Sequence, residues 1–405
     1  MTVLQEVAPP SVEFATERRM LALICSAAFL VFVQTFMVAP LIPRLSTVFA
    51  SPIGWVALAV PAYVVPQGIA TLWGGPISDR FGRRGVILVS LLLFAVLTAV
   101  TASAERVGEF IVWRVVTGVS AAGIVPIGLT LIGDVVPFER RGQAVGWLFG
   151  AIAGGTATGA AAGALLEPLV GWQSLFLGVA TLCALLAVAA VAGQALPLLP
   201  RPVAGSCRAV MRGYLNLLSQ PRARRTYGYV MLNAILISGV FTWLGVYLHD
   251  RFGLDGVGIG LVLLGYGIPG LVFGPLIGRL ADRYGRARII PLGVALTGLC
   301  ALLLALPLPL NGARVAIVLL SLGFDLTHPS LAAITTDLQG GRGQAVALMA
   351  FSLFTGFGLG SLLFQLAMVL GFAGALMLFG VVAWVAAAAA VFLFREERPR
   401  KTAGR

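Results

Sequence analysis

The chain has 405 residues, 59% hydrophobic and 11% charged, with a mean hydropathy of +0.97. Soluble domains carry about a quarter charged residues, so this composition excludes an ordinary water-soluble fold and predicts a membrane protein. The formal net charge of +12 does not indicate a nucleic-acid partner, because the basic residues are distributed by side of a membrane rather than gathered on one surface.

Apolar runs of about 18 or more residues, each able to cross a bilayer as a helix, recur along the whole length. In chain order the predicted spans are 20–42, 54–76, 85–103, 109–132, 143–166, 173–196, 227–248, 257–277, 288–306, 314–335, 344–368 and 371–394. The predicted fold is an all-α membrane protein of twelve transmembrane helices in two pseudo-symmetric six-helix bundles. Residues 1–19 form an N-terminal tail, 20–196 the first half, 197–226 a linker, 227–394 the second half and 395–405 a C-terminal tail. The even-numbered gaps and both termini hold nearly all the Lys and Arg, from Arg18 to Arg405, whereas the other side holds only Arg44, Arg106, Arg251 and Arg314. That bias predicts both termini in the cytoplasm and contact with anionic lipid headgroups. Residues 1–17 contain three glutamates and no basic stretch, so no cleavable signal is expected and the first span itself is the targeting signal. The linker, with Pro200, Pro202, Gly205 and several arginines, reads as a cytoplasmic loop with room for a short amphipathic helix. Cys25, Cys183, Cys207 and Cys300 are scattered, without disulfide or metal spacing.

An internal repeat is visible. "GGPISDRFGRRGV" at 74–86 is echoed by "IGRLADRYGRARI" at 277–289, "RGQAV" occurs at both 141–145 and 342–346, and Pro126 and Pro329 stand at the same offset as Asp79 and Asp282. Duplicated halves around a midplane site are the structural basis of alternating access.

These motifs resemble the major facilitator superfamily over nearly the full chain. The marker is the loop between spans 2 and 3, where Gly75, Asp79, Arg80, Gly82, Arg83 and Arg84 match the family's Gly-x-x-x-Asp-Arg-x-Gly-Arg-Arg pattern. A second copy between spans 8 and 9 contains Gly278, Asp282, Arg283, Gly285 and Arg286. "RVVTGVSAA" at 114–122 is similar to the family's helix 4 motif, with Thr117 where glutamine is usual. Gly171, Trp172 and Phe176 match a feature before helix 6. The resemblance implies a secondary transporter, most like the twelve-helix drug:proton antiporter branch. It also implies a latch in which Asp79 meets the start of span 11 near Gly343, with Arg141 close by and Asp282 as a weaker mirror copy. A topological turn with solvated charges is the alternative. Gly82 and Gly85 permit the tight reversal the loop needs. Two departures stand out: Gln34 occupies a place where many drug exporters of the family carry an aspartate, and Ala160 replaces the proline expected in span 5. The span 5 glycines 150, 154, 159 and 163 predict close helix approach.

The only deep carboxylate is Asp325, eleven residues past Arg314 and so roughly 16 Å along span 10. An ionisable group there costs about 2.5–3.5 kcal/mol on insertion scales, so it should face a cavity or a partner. His328 lies about 60° around the helix from it, and a histidine titrates near neutrality. The pair predicts proton coupling or substrate contact; a histidine acting as neutral structural glue is the bland alternative. Pro329 removes one amide hydrogen and should free the Asp325 carbonyl. Arg114, a second buried charge, either snorkels outward to Glu109 or, as the resemblance implies, handles protons across the cavity from Asp325. Candidate substrate contacts are Gln34, Asn233, Ser238, Thr242 and Trp243, with Tyr63, Gln67, Tyr266 and Gln365 as weaker ones. Trp243 and Tyr247 suit either an interface belt or a gate.

No nucleophile constellation, nucleotide loop or metal spacing is present, so neither an enzyme nor a bound cofactor is predicted. The leading reading is a monomeric proton-coupled exporter of small amphipathic molecules or drugs in a cell inner membrane, with a small-molecule substrate, protons and the lipid bilayer as partners and no nucleic acid. The alternatives are a symporter or facilitator importing a sugar or organic solute, and a non-transporting membrane sensor.

Overall fold

The computed structural model describes residues 10–198, 207–270, 276–277, 280, 283–338 and 341–397. Among them the chain is helical, with no strand. The first predicted span is α1 (Pro10–Phe36) followed by α2 (Val38–Val48). Pro40 falls in the first turn of α2, where its missing N–H costs no intrahelical bond. A short α3 (Ile53–Ala57) leads into α4 (Ala59–Phe81), and α5 (Arg83–Thr101) returns. The fourth span divides at 122–124 into α6 (Val107–Ala121) and α7 (Val125–Val135), with Pro126 in the first turn of α7. Next come α8 (Phe138–Val170) and α9 (Trp172–Ala192).

The linker contains α10 (Cys207–Ser219). After it come α11 (Pro221–Phe252), α12 (Gly256–Tyr266), α13 (Arg286–Ala305), α14 (Leu310–Thr336), α15 (Arg342–Ala367) and α16 (Gly371–Leu393). Among the described residues, ten stretches are long and apolar enough to cross a membrane. The last, Gly343–Leu393, comprises α15, a tight turn and α16, while Gly256–Gly270 is a shorter apolar helix. Large apolar side chains such as Leu169, Val188, Leu366 and Phe392 lie on the outside, the arrangement lipid requires of helices whose backbone bonds are satisfied internally.

The repeat is visible in the backbone. Gly82 and Gly285, the matched motif glycines, have φ of 87° and 83°, conformations that L side chains resist. Gly85, expected to share the reversal, instead lies within α5 with open space beside it. Glycine also determines how helices approach. On α8, residues 155, 159 and 163 each sit on α1 or its joint with α2: added Cβ atoms would lie 2.5, 2.4 and 2.4 Å from the carbonyl oxygens of Phe29, Val33 and Met37. This four-residue register corrects the expected ridge 150, 154, 159 and 163, because Gly150 faces open space.

The helices before α10 meet those after it along two seams. In one, α4 packs on α15, with Gly68 against Thr355 and Phe354, Gly358 against Val64 and Val65, and the Gln365 amide donating to Gly54 O at 3.3 Å. In the other, α8 packs on α12 and its continuation, with Gly256 and Gly260 against Ala164 and Leu165, Gly267 against Ala157 and Gly270 against Ala153. Towards the linker end, nothing among the described residues lies within 4 Å of a Cβ built on Gly75, Gly142, Gly146, Gly150 or Gly343. There α10 bridges the two groups of helices: Tyr214 Oη donates to Leu72 O of α4 at 2.6 Å, and Gln344 Nε2 donates to Val210 O at 3.2 Å. Beside it Glu397 accepts two hydrogen bonds from Arg222, at 2.7 and 2.8 Å, and one from Arg225 at 2.7 Å.

Candidate functional site

Arg114 is fully buried, and it points inward. Gly118, one turn further along α6, lets that helix sit directly on α4: a Cβ there would lie 2.1 Å from Tyr63 O. The approach brings Arg114 Nε to Ala59 O at 3.2 Å and its guanidinium carbon to 4.2 Å from the Tyr63 ring centroid. Nη1 donates to Gln34 Oε1 at 2.8 Å and more weakly to Gln34 O at 3.5 Å. Glu109 instead accepts from the Glu105 amide at 3.1 Å, so the outward-snorkelling alternative is overturned. No carboxylate pairs with Arg114 among the described residues; the Tyr63 face and three acceptors stand in for one, and a cation over a desolvated ring is worth about 2 kcal/mol. Arg114 Nη2 and Gln34 Nε2 are buried without a partner.

Between α1, α4, α11 and α15 lies a cavity of about 20 Å³ lined by Thr35, Phe36, Val60, Val64, Ser238, Phe241, Thr242 and Phe357, among others, room for about one water. Its walls are aromatic and come from both groups of helices. Phe36 touches Phe32, Phe241 and Phe357 at centroid distances of 6.0, 5.4 and 6.0 Å, and Phe241 meets Tyr266 at 4.6 Å. These phenylalanines escaped the sequence reading, which weighed polar residues; their signal is the i, i+4 spacing of Phe32 and Phe36, which puts both rings on one face of α1.

Asp325 is half-buried on α14. Ser321 Oγ, one turn earlier, donates to Oδ2 at 3.2 Å. The carboxylate lies against the second seam: a Cβ on Gly270 would lie 3.2 and 3.3 Å from its two oxygens and 3.4 Å from Ala153 Cβ of α8. Tyr266 is within its electrostatic reach. The expected pairing with His328 is not formed. His328 stacks on Phe324 at 5.1 Å with the ring planes 8° apart, because residues four apart lie one above the other on a helix and offer a ring its best partner. Phe324 in turn meets Phe357 at 6.0 Å, which joins His328 to the cavity's aromatic wall. Arg114 does not reach Asp325 either, since all its partners are on α1, α4 and their neighbouring turns.

The remaining candidates divide. Ser238 and Thr242 line the cavity, and Ser238 also donates to Phe357 O at 2.7 Å. Asn233 and Gln67 are buried with neither amide atom hydrogen-bonded. Gln365 belongs to the first seam. Trp243 Nε1 donates to Ser361 O at 3.3 Å and Tyr247 Oη to Leu304 O at 3.0 Å, both buried. Each bond ties α11 to a neighbouring helix, and neither residue is exposed as a belt residue would be.

Among the described residues, no contact of Asp79 with the start of α15 is seen. Among the described residues nothing lies within 4 Å of a Cβ built on Gly75 or Gly343, and Asp79 is close enough to act on the charge of Arg83. Arg83 pairs instead with Asp134 and donates to Thr130 O at 3.3 Å, tying α5 to α7. Arg80 and Arg283 lie over the rings of Phe81 and Tyr284 at 5.6 and 5.5 Å. Arg84 is half-buried, and Arg141 Nη2 donates to Val136 O at 3.3 Å. Asp282 and Gly278 lie outside the described residues.

The model of the Major Facilitator Superfamily matches residues 24–361 and 257–405, so the chain belongs to that family, and its many long apolar helices make it a multi-pass membrane protein. An uncharacterized MFS-type transporter of Bacillus subtilis, YwfA, is 26% identical over 272 residues, 64% of this chain and 64% of its own length. Multidrug resistance protein 2 of Bacillus subtilis is 24% identical over 363 residues, 86% of this chain and 90% of its own. Among solved structures, the human organic anion transporter MFSD10 (TETRAN) superposes with a TM-score of 0.72 at 20% identity, covering 95% of this chain and 99% of that one, a likeness of fold.

Proposed function

We propose that this chain is a monomeric, proton-coupled exporter of small amphipathic molecules, working by alternating access in the cell inner membrane with twelve spans and both termini cytoplasmic. The observation that carries the reading is Asp325. Its carboxylate is half-buried, holds one side-chain hydrogen bond, and sits where α14, the continuation of α12 and α8 meet. A seam between two groups of helices is where relative motion changes a group's access to water. Protonation there alters the charge between the moving parts, and substrate occupies the aromatic cavity beside it. His328 and Arg114 are two further buried ionisable groups, held by the same aromatic wall and by Gln34. Export is favoured by the similarity to a multidrug resistance protein along most of both chains. The seams are closed away from the linker and open space lies beside the motif glycines at the linker end, which suits a cytoplasm-facing state with Asp79 unlatched.

The test is transport in liposomes. A panel of toxic compounds is first screened for resistance conferred on an exporter-deficient strain, and flux of the selected compound is then driven by an imposed pH gradient. Asp325→Asn is expected to lower pH-driven flux at least tenfold while leaving counterflow exchange intact. Unchanged pH-driven flux discards Asp325 as the coupling group, and new growth on a carbon source in place of resistance reverses the direction.

A further inference from the structure

The interior before the linker holds a cluster the proposed coupling does not use. Arg114, Gln34, Tyr63 and Gln67 are all 0% exposed. Arg114 Nη2, Gln34 Nε2, Tyr63 Oη and both amide atoms of Gln67 lack a hydrogen-bond partner. The orientation of the Gln34 amide is not arbitrary: turned over, it would set N–H against the N–H of Arg114 Nη1, so Oε1 faces the guanidinium and Nε2 must look elsewhere as a donor. The hydroxyl of Thr35, beside that of Tyr63, donates its own proton to Val31 O at 2.7 Å. Gln67 lies one turn from Tyr63 on the same face of α4. The cluster thus holds four unpaired donors against one unpaired acceptor, Gln67 Oε1, carries one full positive charge, and has no carboxylate among its described partners.

A buried cation and several idle donors cost free energy unless something accepts from them. Gln34, the side chain that faces Arg114 Nη1, is a neutral amide and supplies no counter-charge. We propose that the missing acceptor is the substrate: the Arg114–Gln34–Tyr63 cluster is a subsite for the carboxylate of an aromatic, amphipathic monoanion. One carboxylate oxygen accepts from Arg114 Nη2 and the other from Gln34 Nε2 or Tyr63 Oη, while the apolar body lies against Phe36, Phe241 and Phe357. Thr35 connects the two parts, since it lines the aromatic cavity and adjoins Tyr63. Widening of the cavity as the helices move opens the route past it. This deepens the proposed function and rests on it only in taking the chain as a transporter.

The test uses the full chain in lipid nanodiscs and three probes of one shape: 2-naphthoate, its neutral carboxamide 2-naphthamide, and 2-naphthylmethylammonium. Binding is read by quenching of tryptophan fluorescence. Wild type is expected to bind naphthoate at least tenfold more tightly than naphthamide, and the ammonium probe least. Arg114→Gln abolishes that preference with less than a twofold change for naphthamide. Because removing a buried arginine can simply unfold the chain, Gln34→Asp is the decisive variant: it gives Arg114 an internal partner, preserves or raises the thermal midpoint, and is expected to lose the naphthoate preference as fully. An absent naphthoate preference in wild type, or one that survives Gln34→Asp, overturns the subsite. The preference is read at equilibrium with no pH gradient, whereas coupling is read as pH-driven flux, so failure of proton coupling and failure of this subsite give separate results.

Discussion

Arg114 before the linker and Asp325 after it are both ionisable groups deep in apolar helices, yet the protein treats them oppositely. Arg114 is wholly enclosed and held by two carbonyls, one side-chain amide and an aromatic face. Asp325 is half-buried, has one hydroxyl partner, and rests against glycine backbone at a seam. A charge fixed by many acceptors inside one group of helices can orient something brought to it. A charge with few partners at a moving seam can gain and lose a proton as water comes and goes. Depth alone, the property sequence makes visible, does not separate these two designs; the number and rigidity of the partners does.

The largest effect is expected where the fixed charge loses its amide. Gln34→Leu leaves Arg114 Nη1 with one long contact to a carbonyl in a dry site, and breaking such a buried interaction should cost about 2–3 kcal/mol. Thermal unfolding in detergent, followed by the fraction of monodisperse protein, measures it. A midpoint within one degree of wild type would mean that the guanidinium finds water, and Arg114 would then belong with Asp325 rather than opposite it.

Much of the fold was legible because hydrophobic length is a direct physical requirement of a span and because the duplicated loop motif marks equivalent turns. Gly82 and Gly285 adopt matching positive φ, as the repeat demanded. Asp325 stood out because a carboxylate is rare in such a chain. Its partner was also readable: Ser321 lies four residues earlier, a better-aligned neighbour than His328 three residues later. Arg114 was ambiguous because a long side chain can snorkel either way. The deciding residue was Gly118, whose missing Cβ lets α6 close on α4 and leaves the guanidinium facing Tyr63. The phenylalanines of the cavity wall were hidden by context, since one more aromatic residue offers no contrast in an apolar helix.

A smaller effect, outside the membrane, calibrates pH experiments on both charges. Burial alone would raise the Glu397 carboxyl, but the hydrogen bonds and charge of Arg222, with Arg225 and Arg286 nearby, outweigh it and hold the group below its usual range. A carboxylate depressed in the folded state stabilises fully above its unfolded value of about 4.3 and loses that contribution as pH falls through the folded value. The clasp between the end of α16 and the start of α11 should therefore weaken below about pH 4. Its full worth is on the order of 1 kcal/mol, since Arg222 is partly exposed and screened. Glu397→Gln should lower the thermal midpoint at pH 7 and flatten its acid dependence. An unchanged acid dependence would assign the lability to another group, and flux changes near pH 4 would then need correction elsewhere before being read as Asp325.

The smallest stability effect is expected at the other pole of the comparison. Ser321→Ala removes the one side-chain hydrogen bond to Asp325, but the carboxylate is half-buried, and a water can take the place of the hydroxyl at little cost. The loss should stay below about 1 kcal/mol, well under that of Gln34→Leu measured the same way. The ratio of the two is the informative quantity. If Ser321→Ala destabilises as much as Gln34→Leu, Asp325 is as dry as Arg114. A group that cannot reach water in this state has no route for its proton until the seam opens, so coupling would then have to begin with the helix motion itself, and a pH step applied to the resting protein should produce no change in binding.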